Sequence, residues 1–165
     1  MENRNVQSLI LENLDSLRRF AYSLTQDLSD ADDLVQIVIE KLLKKLLVDE
    51  DNPVPWMFKV CRNAWIDEIR SRKVRQIDKV IDINELSAKT NYKNDFDADL
   101  QRRDLMRAIE ALPEAFCIVI KLIVVSELSY AEVGQVLGIP IGTVMSRAAR
   151  ARERLAANLR KASEE

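Results

Sequence analysis

Arginine, lysine and the side-chain amides are the residues of this chain with the clearest capacity for chemistry, and the chemistry they offer is binding. Histidine is absent from all 165 residues, so imidazole acid–base catalysis and a Ser-His-Asp triad are excluded. Two cysteines, Cys61 and Cys117, fall short of the four Cys or His ligands of a common structural zinc site. There is no glycine-rich phosphate loop. Glu110 and Glu114, four apart around Pro113, read as solvated helix ends rather than a catalytic pair. The chain is therefore expected to be no enzyme, with no metal, no cofactor and no small-molecule substrate. Both thiols stand in apolar company, which predicts buried free cysteines and a reducing, cytoplasmic setting.

The cations are unevenly placed. Net charge is only −2, which argues weakly against DNA, but distribution matters more than the sum. Acids predominate from Asp27 to Asp51. From Lys59 to Lys79 the balance reverses, with Arg62, Arg70, Arg72, Lys73 and Arg75 among the cations. From Arg147 to Lys161 it is basic again, opposed by Glu153 alone. Two basic surfaces on an acidic background suit nucleic acid engaged in two places. On charge alone, solvated helix faces are the better reading.

Helices are the elements available to position these residues. Apolar residues make up 47%, charged residues 32%, and there are 3 glycines and 4 prolines, a composition that favours an all-α protein. Leu9, Ile10, Leu14, Leu17, Ala21 and Leu24 recur at helical spacing and predict a first helix ending near Asp27. Ser29 with Asp32 resembles a capping box for a second. Its apolar stripe is Leu34, Val35, Val38, Ile39, Leu42, Leu43 and Leu46. Asp49 to Pro55 reads as a loop. A third helix is expected from about Trp56 to Arg75, with Pro55 in its first turn and Trp56, Val60, Ala64 and Ile69 buried. The N-terminus has no basic segment followed by an apolar core, so no signal peptide is expected. No apolar run approaches the roughly 20 residues of a membrane span.

Apolar residues thin out after Gln76. Residues 76–103 read as a flexible linker between two small helical domains, 1–75 and 104–165, with at most a transient turn of helix. The second domain opens with a helix through Leu105, Ile109 and Leu112, stopped by Pro113. Another is expected from Pro113 to about Val125, although its β-branched run also suits a strand.

Leu128 to Leu155 is the most informative segment. Ser129 and Glu132 form a capping box before a short helix whose apolar face is Val133, Val136 and Leu137. Gly138 stands where a left-handed residue closes a helix, and Ile139 can plug the space between two helices. Pro140 suits the first turn of the next helix, where Val144, Ala148, Ala151 and Leu155 form one buried stripe. A short helix, a tight glycine turn and a longer basic helix make the DNA-binding helix-turn-helix layout. Thr143, Ser146, Arg147, Arg150 and Arg154 lie on the exposed face, where hydroxyls and guanidinium groups reach phosphates or base edges. A helical hairpin with a charged outer face is the bland alternative.

At this point the chain resembles a known family. The string ALPEAFCIVIKL…ELSYAEVGQVLGIPIGTVMSRAARARERL is similar to region 4 of extracytoplasmic-function (ECF) sigma factors. LRRFAYSLTQDLSDADDLVQIVIEKL resembles the family's polymerase-binding segment, and PWMFKVCRNAWIDEIRSRKVR its promoter-melting segment. The resemblance covers about residues 8–75 and 104–160, in the expected order. It implies a sigma region 2-like domain followed by a helix-turn-helix, region 4-like domain.

The resemblance also implies residue roles. Asp30, Asp32, Asp33, Leu34 and Gln36 match the segment that docks on core RNA polymerase, although acids at a helix start also complement its dipole. Trp56 and Asn63 match the region around a flipped base of the minus-ten element. Arg62, Arg70, Arg72, Lys73 and Arg75 match the cations that hold the displaced strand. Trp65 stands where the family usually has a smaller aliphatic residue. Thr143, Met145, Ser146, Arg147, Ala149, Arg150 and Arg154 match the minus-thirty-five reading helix. Met145 stands where Lys or Arg is common, and Ala149 where a larger side chain is common, so an atypical or weakly bound upstream element is expected. The implied partners are core RNA polymerase, promoter DNA and an anti-sigma factor, the last often membrane-linked. The alternatives are a sigma mimic that sequesters an anti-sigma factor without driving transcription, and an ordinary two-domain repressor.

Overall fold

The computed structural model describes residues 2–45, 52–78 and 96–164, and every regular element among them is helical. The chain forms two compact units, one within Met1–Thr90 and one within Asn91–Glu165. None of the described helices is long and apolar enough to cross a membrane.

The first unit packs α1 (Glu2–Thr25), α2 (Leu28–Lys45) and α3 (Pro53–Asp78) around one core. Leu17, Phe20 and Ala21 of α1, Val38 of α2 and Met57, Phe58 and Cys61 of α3 are all fully buried. The Phe20 and Phe58 rings meet edge-on, with centroids 5.4 Å apart at 66°. Gln26, in the left-handed region at φ 53°, ends α1 by donating its N–H to the Tyr22 carbonyl at 2.8 Å.

Three details differ from the sequence reading. The start of α2 is capped by Asp27, whose Oδ1 accepts the Asp30 N–H at 2.9 Å; Ser29 already lies inside the helix. The pattern Asp27-x-x-Asp30 stands two residues ahead of Ser29-x-x-Asp32, and Thr25 supports it by accepting the Asp27 N–H at 3.2 Å. Second, α3 begins at Pro53, three residues before Trp56. Both prolines fall in the first turn, where backbone N–H groups have no helical partner, so neither breaks the helix. Third, the buried face of α3 is Pro55, Met57, Phe58 and Cys61, while Trp56, Val60, Ala64 and Ile69 are half-buried. The stripe on α2 holds for Leu34, Val35, Val38 and Leu42; Ile39 is half-buried and Leu43 exposed. Leu46, the acids of the expected loop at 49–51 and the linker residues 79–95 lie outside the described residues. The linker's expected ends are helical: α3 continues to Asp78, and α4 begins at Phe96.

The second unit comprises α4 (Phe96–Glu110), α5 (Glu114–Ile120), α6 (Tyr130–Leu137) and α7 (Ile141–Glu164). Pro113 does more than stop α4. Its carbonyl accepts the N–H groups of Phe116 and Cys117 at 2.9 Å and so starts α5. The apolar run after Pro113 is helical, and its end widens into a π turn, Lys121–Val125, where Ser126 N–H reaches the Lys121 carbonyl at 3.2 Å. Ile109, Leu112, Cys117, Ile120 and Ala151 form one cluster of the core, with Leu105, Phe116 and Leu155 packed against it. Lys121 is buried, and its ammonium meets Glu110 Oε1. Glu110 is therefore the counter-ion of a buried cation and not merely a solvated helix end.

Candidate functional site

Residues singled out for binding fall on two faces, one in each unit. In the first unit they lie on α2 and α3. Asp32, Asp33 and Gln36 are exposed on α2, whereas Leu34 is only 4% exposed and belongs to the core. Its apolar character made it resemble part of a docking ridge, but the α2 stripe turns it inward. Asp30 is half-buried, and its Oδ2 accepts from Arg72 Nη2 of α3 at 2.9 Å. Arg72 also donates from Nε to Glu68 Oε1 at 2.8 Å, and its guanidinium carbon lies 5.4 Å from the Trp65 ring centroid. The Arg72 hydrogen bond, followed by the nearby charges of Arg72 and Arg75, holds the Glu68 carboxyl below its ordinary range. Arg75 reaches the same Glu68 oxygen at 3.4 Å and Ser71 Oγ at 3.1 Å.

Trp56 is half-buried in the first turn of α3, with the Lys45 ammonium 4.4 Å from its ring centroid. Asn63, Arg70 and Lys73 are exposed and Arg62 half-buried. Arg62, Arg70 and Lys73 have no hydrogen-bond or ion-pair partner among the described residues. Such cations suit a phosphate backbone, while Arg72 is already engaged on several sides.

In the second unit, the turn between α6 and α7 sets the site. Ser129 Oγ accepts the Glu132 N–H at 3.2 Å and Glu132 Oε2 accepts the Ser129 N–H at 2.8 Å, closing the expected capping box. Gly138 has φ 66° and ψ 35°, the left-handed conformation glycine adopts without strain. Gly134 was not singled out from sequence and is as important. Its carbonyl accepts the N–H groups of Gly138 and Ile139, the latter at 3.1 Å, and a Cβ there would stand 2.9 Å from the Ile139 carbonyl oxygen. Nothing but its spacing four before Gly138 could have marked it. Pro140 lies just before α7, with its carbonyl accepting from Thr143 and Val144.

The turn rolls α7 so that Val144, Ala148 and Ala151 are fully buried. The other side presents Thr143 and Arg147, half-buried, and Met145, Ser146, Ala149, Arg150 and Arg154, exposed. Arg147 and Arg150 have no hydrogen-bond or ion-pair partner among the described residues. Ser146 Oγ donates to the Thr143 carbonyl at 3.1 Å. Arg154 lies 5.1 Å from the Phe116 ring centroid, so it packs against α5 as well as facing solvent. Arg152 Nη1 donates to the Tyr130 hydroxyl at 2.9 Å, a bond between α7 and α6 that the sequence did not signal. No group of metal-ligating side chains is present among the described residues.

Comparison with known proteins agrees with this geometry. Two family profiles match: Sigma-70 region 2 over residues 9–75 and Sigma-70, region 4 over residues 102–155. The chain is 34% identical to ECF RNA polymerase sigma factor EcfG of Rhodopseudomonas palustris, covering 91% of this chain and 82% of that protein. It is 29% identical to ECF RNA polymerase sigma factor SigE of Mycolicibacterium smegmatis, covering 95% of this chain and 62% of that protein, less than two thirds of its length. Among solved structures it resembles the sigma factor RpoE from Bartonella quintana, crystallised with the anti-sigma factor NepR. The TM-score is 0.74, with 30% identity over 95% of this chain and 98% of that one.

Proposed function

Because the chain belongs to the extracytoplasmic-function group of sigma-70 factors, we propose that it binds core RNA polymerase and directs promoter recognition and opening. It contributes binding energy and no covalent step. Asp32, Asp33 and Gln36 face a basic, partly apolar surface of polymerase. Around α3, Trp56 and Asn63 meet an unstacked base, and Arg62, Arg70 and Lys73 hold the displaced strand. Thr143, Ser146, Arg147 and Arg150 of α7 enter the major groove upstream. The protein acts in the cytoplasm, and an anti-sigma factor restrains it, as the relative's complex with its own anti-sigma factor suggests.

One observation carries this reading. Two family regions fall in order on two compact units, and each unit presents cations that have no hydrogen-bond or ion-pair partner among the described residues. Two weak sites on one chain gain avidity through effective concentration, so neither need bind tightly alone. No observation favours the sequestering mimic. The reading is tested by co-elution with core RNA polymerase. A complex forms with the native chain and is lost with the double charge reversal Asp32→Lys and Asp33→Lys; failure of the native chain to co-elute refutes it.

A further inference from the structure

Taking as given the assignment of the α3 cations to the displaced strand, we infer that Arg72 is a positioning residue rather than one of the strand's contacts. With Asp30, Glu68 and Trp65 it braces the basic end of α3 against the acidic start of α2.

Occupancy of the guanidinium comes first. Nη2 is taken by Asp30 at 2.9 Å, Nε by Glu68 at 2.8 Å, and the group lies over the Trp65 ring at 5.4 Å. Two donor nitrogens and a face of the planar group are engaged at once, a combination open to arginine and closed to lysine. A phosphate that took Nε or Nη2 would have to displace a carboxylate already in place, which leaves it the Nη1 end of the group. Arg70 and Lys73, on the same turns of helix, have no such partners among the described residues.

Packing supplies an independent reason. Every side chain from Arg70 to Ile77 is exposed, so this end of α3 is held by no core contact of its own. Among the described residues, the Asp30 bond is the hydrogen bond that ties this stretch to another helix, across 42 positions of sequence. Exposed ion pairs add little to folding. Their effect here is geometric, because the Asp30 bond holds an otherwise exposed stretch of α3 to α2. The brace fixes the direction in which Arg70 and Lys73 point. It also withdraws Asp30 from the acids available to polymerase.

Salt dependence separates a strand contact from a brace. Each phosphate contact to a single strand contributes about 0.7 to the slope of log affinity against log salt. The assay uses saturated holoenzyme and a fluorescein-labelled non-template strand from a start site mapped with the native protein. Arg70→Gln is expected to lose about 0.7 of slope. Arg72→Gln is expected to bind about two- to fivefold more weakly with the native slope. Arg72→Lys keeps the charge but loses the fork, and is expected not to restore affinity. Asp30→Asn is expected to weaken binding although it removes a negative charge, and Asp30→Asn with Arg72→Gln to be no weaker than either alone. A slope loss of about 0.7 in Arg72→Gln, with no weakening in Asp30→Asn, overturns the brace. Native slopes in both arginine variants refute the strand assignment instead. The brace is then judged on the full chain by amide hydrogen exchange over residues 70–77. Faster exchange there in Asp30→Asn and in Arg72→Gln, no greater in the double variant, upholds it, and native exchange rates in both single variants overturn it.

Discussion

Arg72 of α3 and Asp30 of α2 meet at 2.9 Å, joining a residue of the basic segment to one of the acidic segment. The family resemblance implied different partners for these two side chains, DNA for Arg72 and polymerase for Asp30. Their pairing shows that charge type and position along a helix do not reveal which charges are already satisfied by the fold.

Glu110 and Lys121 give the clearest stability prediction. Lys121 is buried, while Glu110 remains 40% exposed. Removing the acid leaves a buried cation unpaired, a cost reduced by the water that reaches Glu110. Glu110→Gln is expected to lower unfolding free energy by about 1–3 kcal/mol in urea titration. Lys121→Met, which removes the charge and keeps the stem, is expected to change stability by less than Glu110→Gln does.

The turn of the helix-turn-helix gives a second. Ala at position 138 must adopt φ 66°, and Gly138→Ala is expected to cost about 1–2 kcal/mol. Gly134→Ala places a methyl 2.9 Å from the Ile139 carbonyl oxygen and is expected to cost about 1–3 kcal/mol and to misalign α7. Thermal unfolding and duplex binding, measured together, check both. A Gly134→Ala protein with native stability and native affinity contradicts the account of the turn.

Cys61 tests burial. Desolvation pushes its thiol up to about 12, from an ordinary value of 9.0. The native protein therefore keeps this thiol unreactive toward iodoacetamide at pH 8, and mass spectrometry is expected to show alkylation there only after unfolding. Because the folded value is raised, the stability linked to this group is present below pH 9 and is lost as pH rises toward 12. The stability advantage of the native chain over Cys61→Ala is expected to narrow across that interval.

The α7 arginines divide by their surroundings. Arg150→Ala is expected to reduce the salt slope of duplex binding by about 0.9 if it meets a phosphate, or to relax one base preference by about 1–3 kcal/mol if it reads guanine. Arg152→Ala, which loses the Tyr130 hydroxyl, is expected to lower the melting temperature with the slope unchanged. Arg154 stands between these cases, since it packs on Phe116 and faces solvent.

Much of the fold was legible because local rules carried it. The Ser129–Glu132 box, the left-handed Gly138 and the Val144–Ala148–Ala151 stripe each follow from spacing, and all three are present. What escaped came from local competition between neighbouring residues and from contacts distant in sequence. Asp27 overtook Ser29 as a cap, a competition between adjacent acceptors that spacing does not decide. Trp56 looked like core but is half-buried, because the face that α3 turns inward carries Pro55, Met57, Phe58 and Cys61 instead. Arg72 with Asp30, Arg152 with Tyr130 and Lys121 with Glu110 are pairs separated by 42, 22 and 11 residues, which no periodicity marks.

Promoter-dependent transcription tests the central claim most directly. The native chain is mixed with core RNA polymerase and a promoter library, and transcript starts are sequenced. Discrete start sites are expected, sharing two upstream elements, with the upstream one atypical where Met145 and Ala149 face the groove. Polymerase that binds the protein but initiates no more often than core alone contradicts the claim.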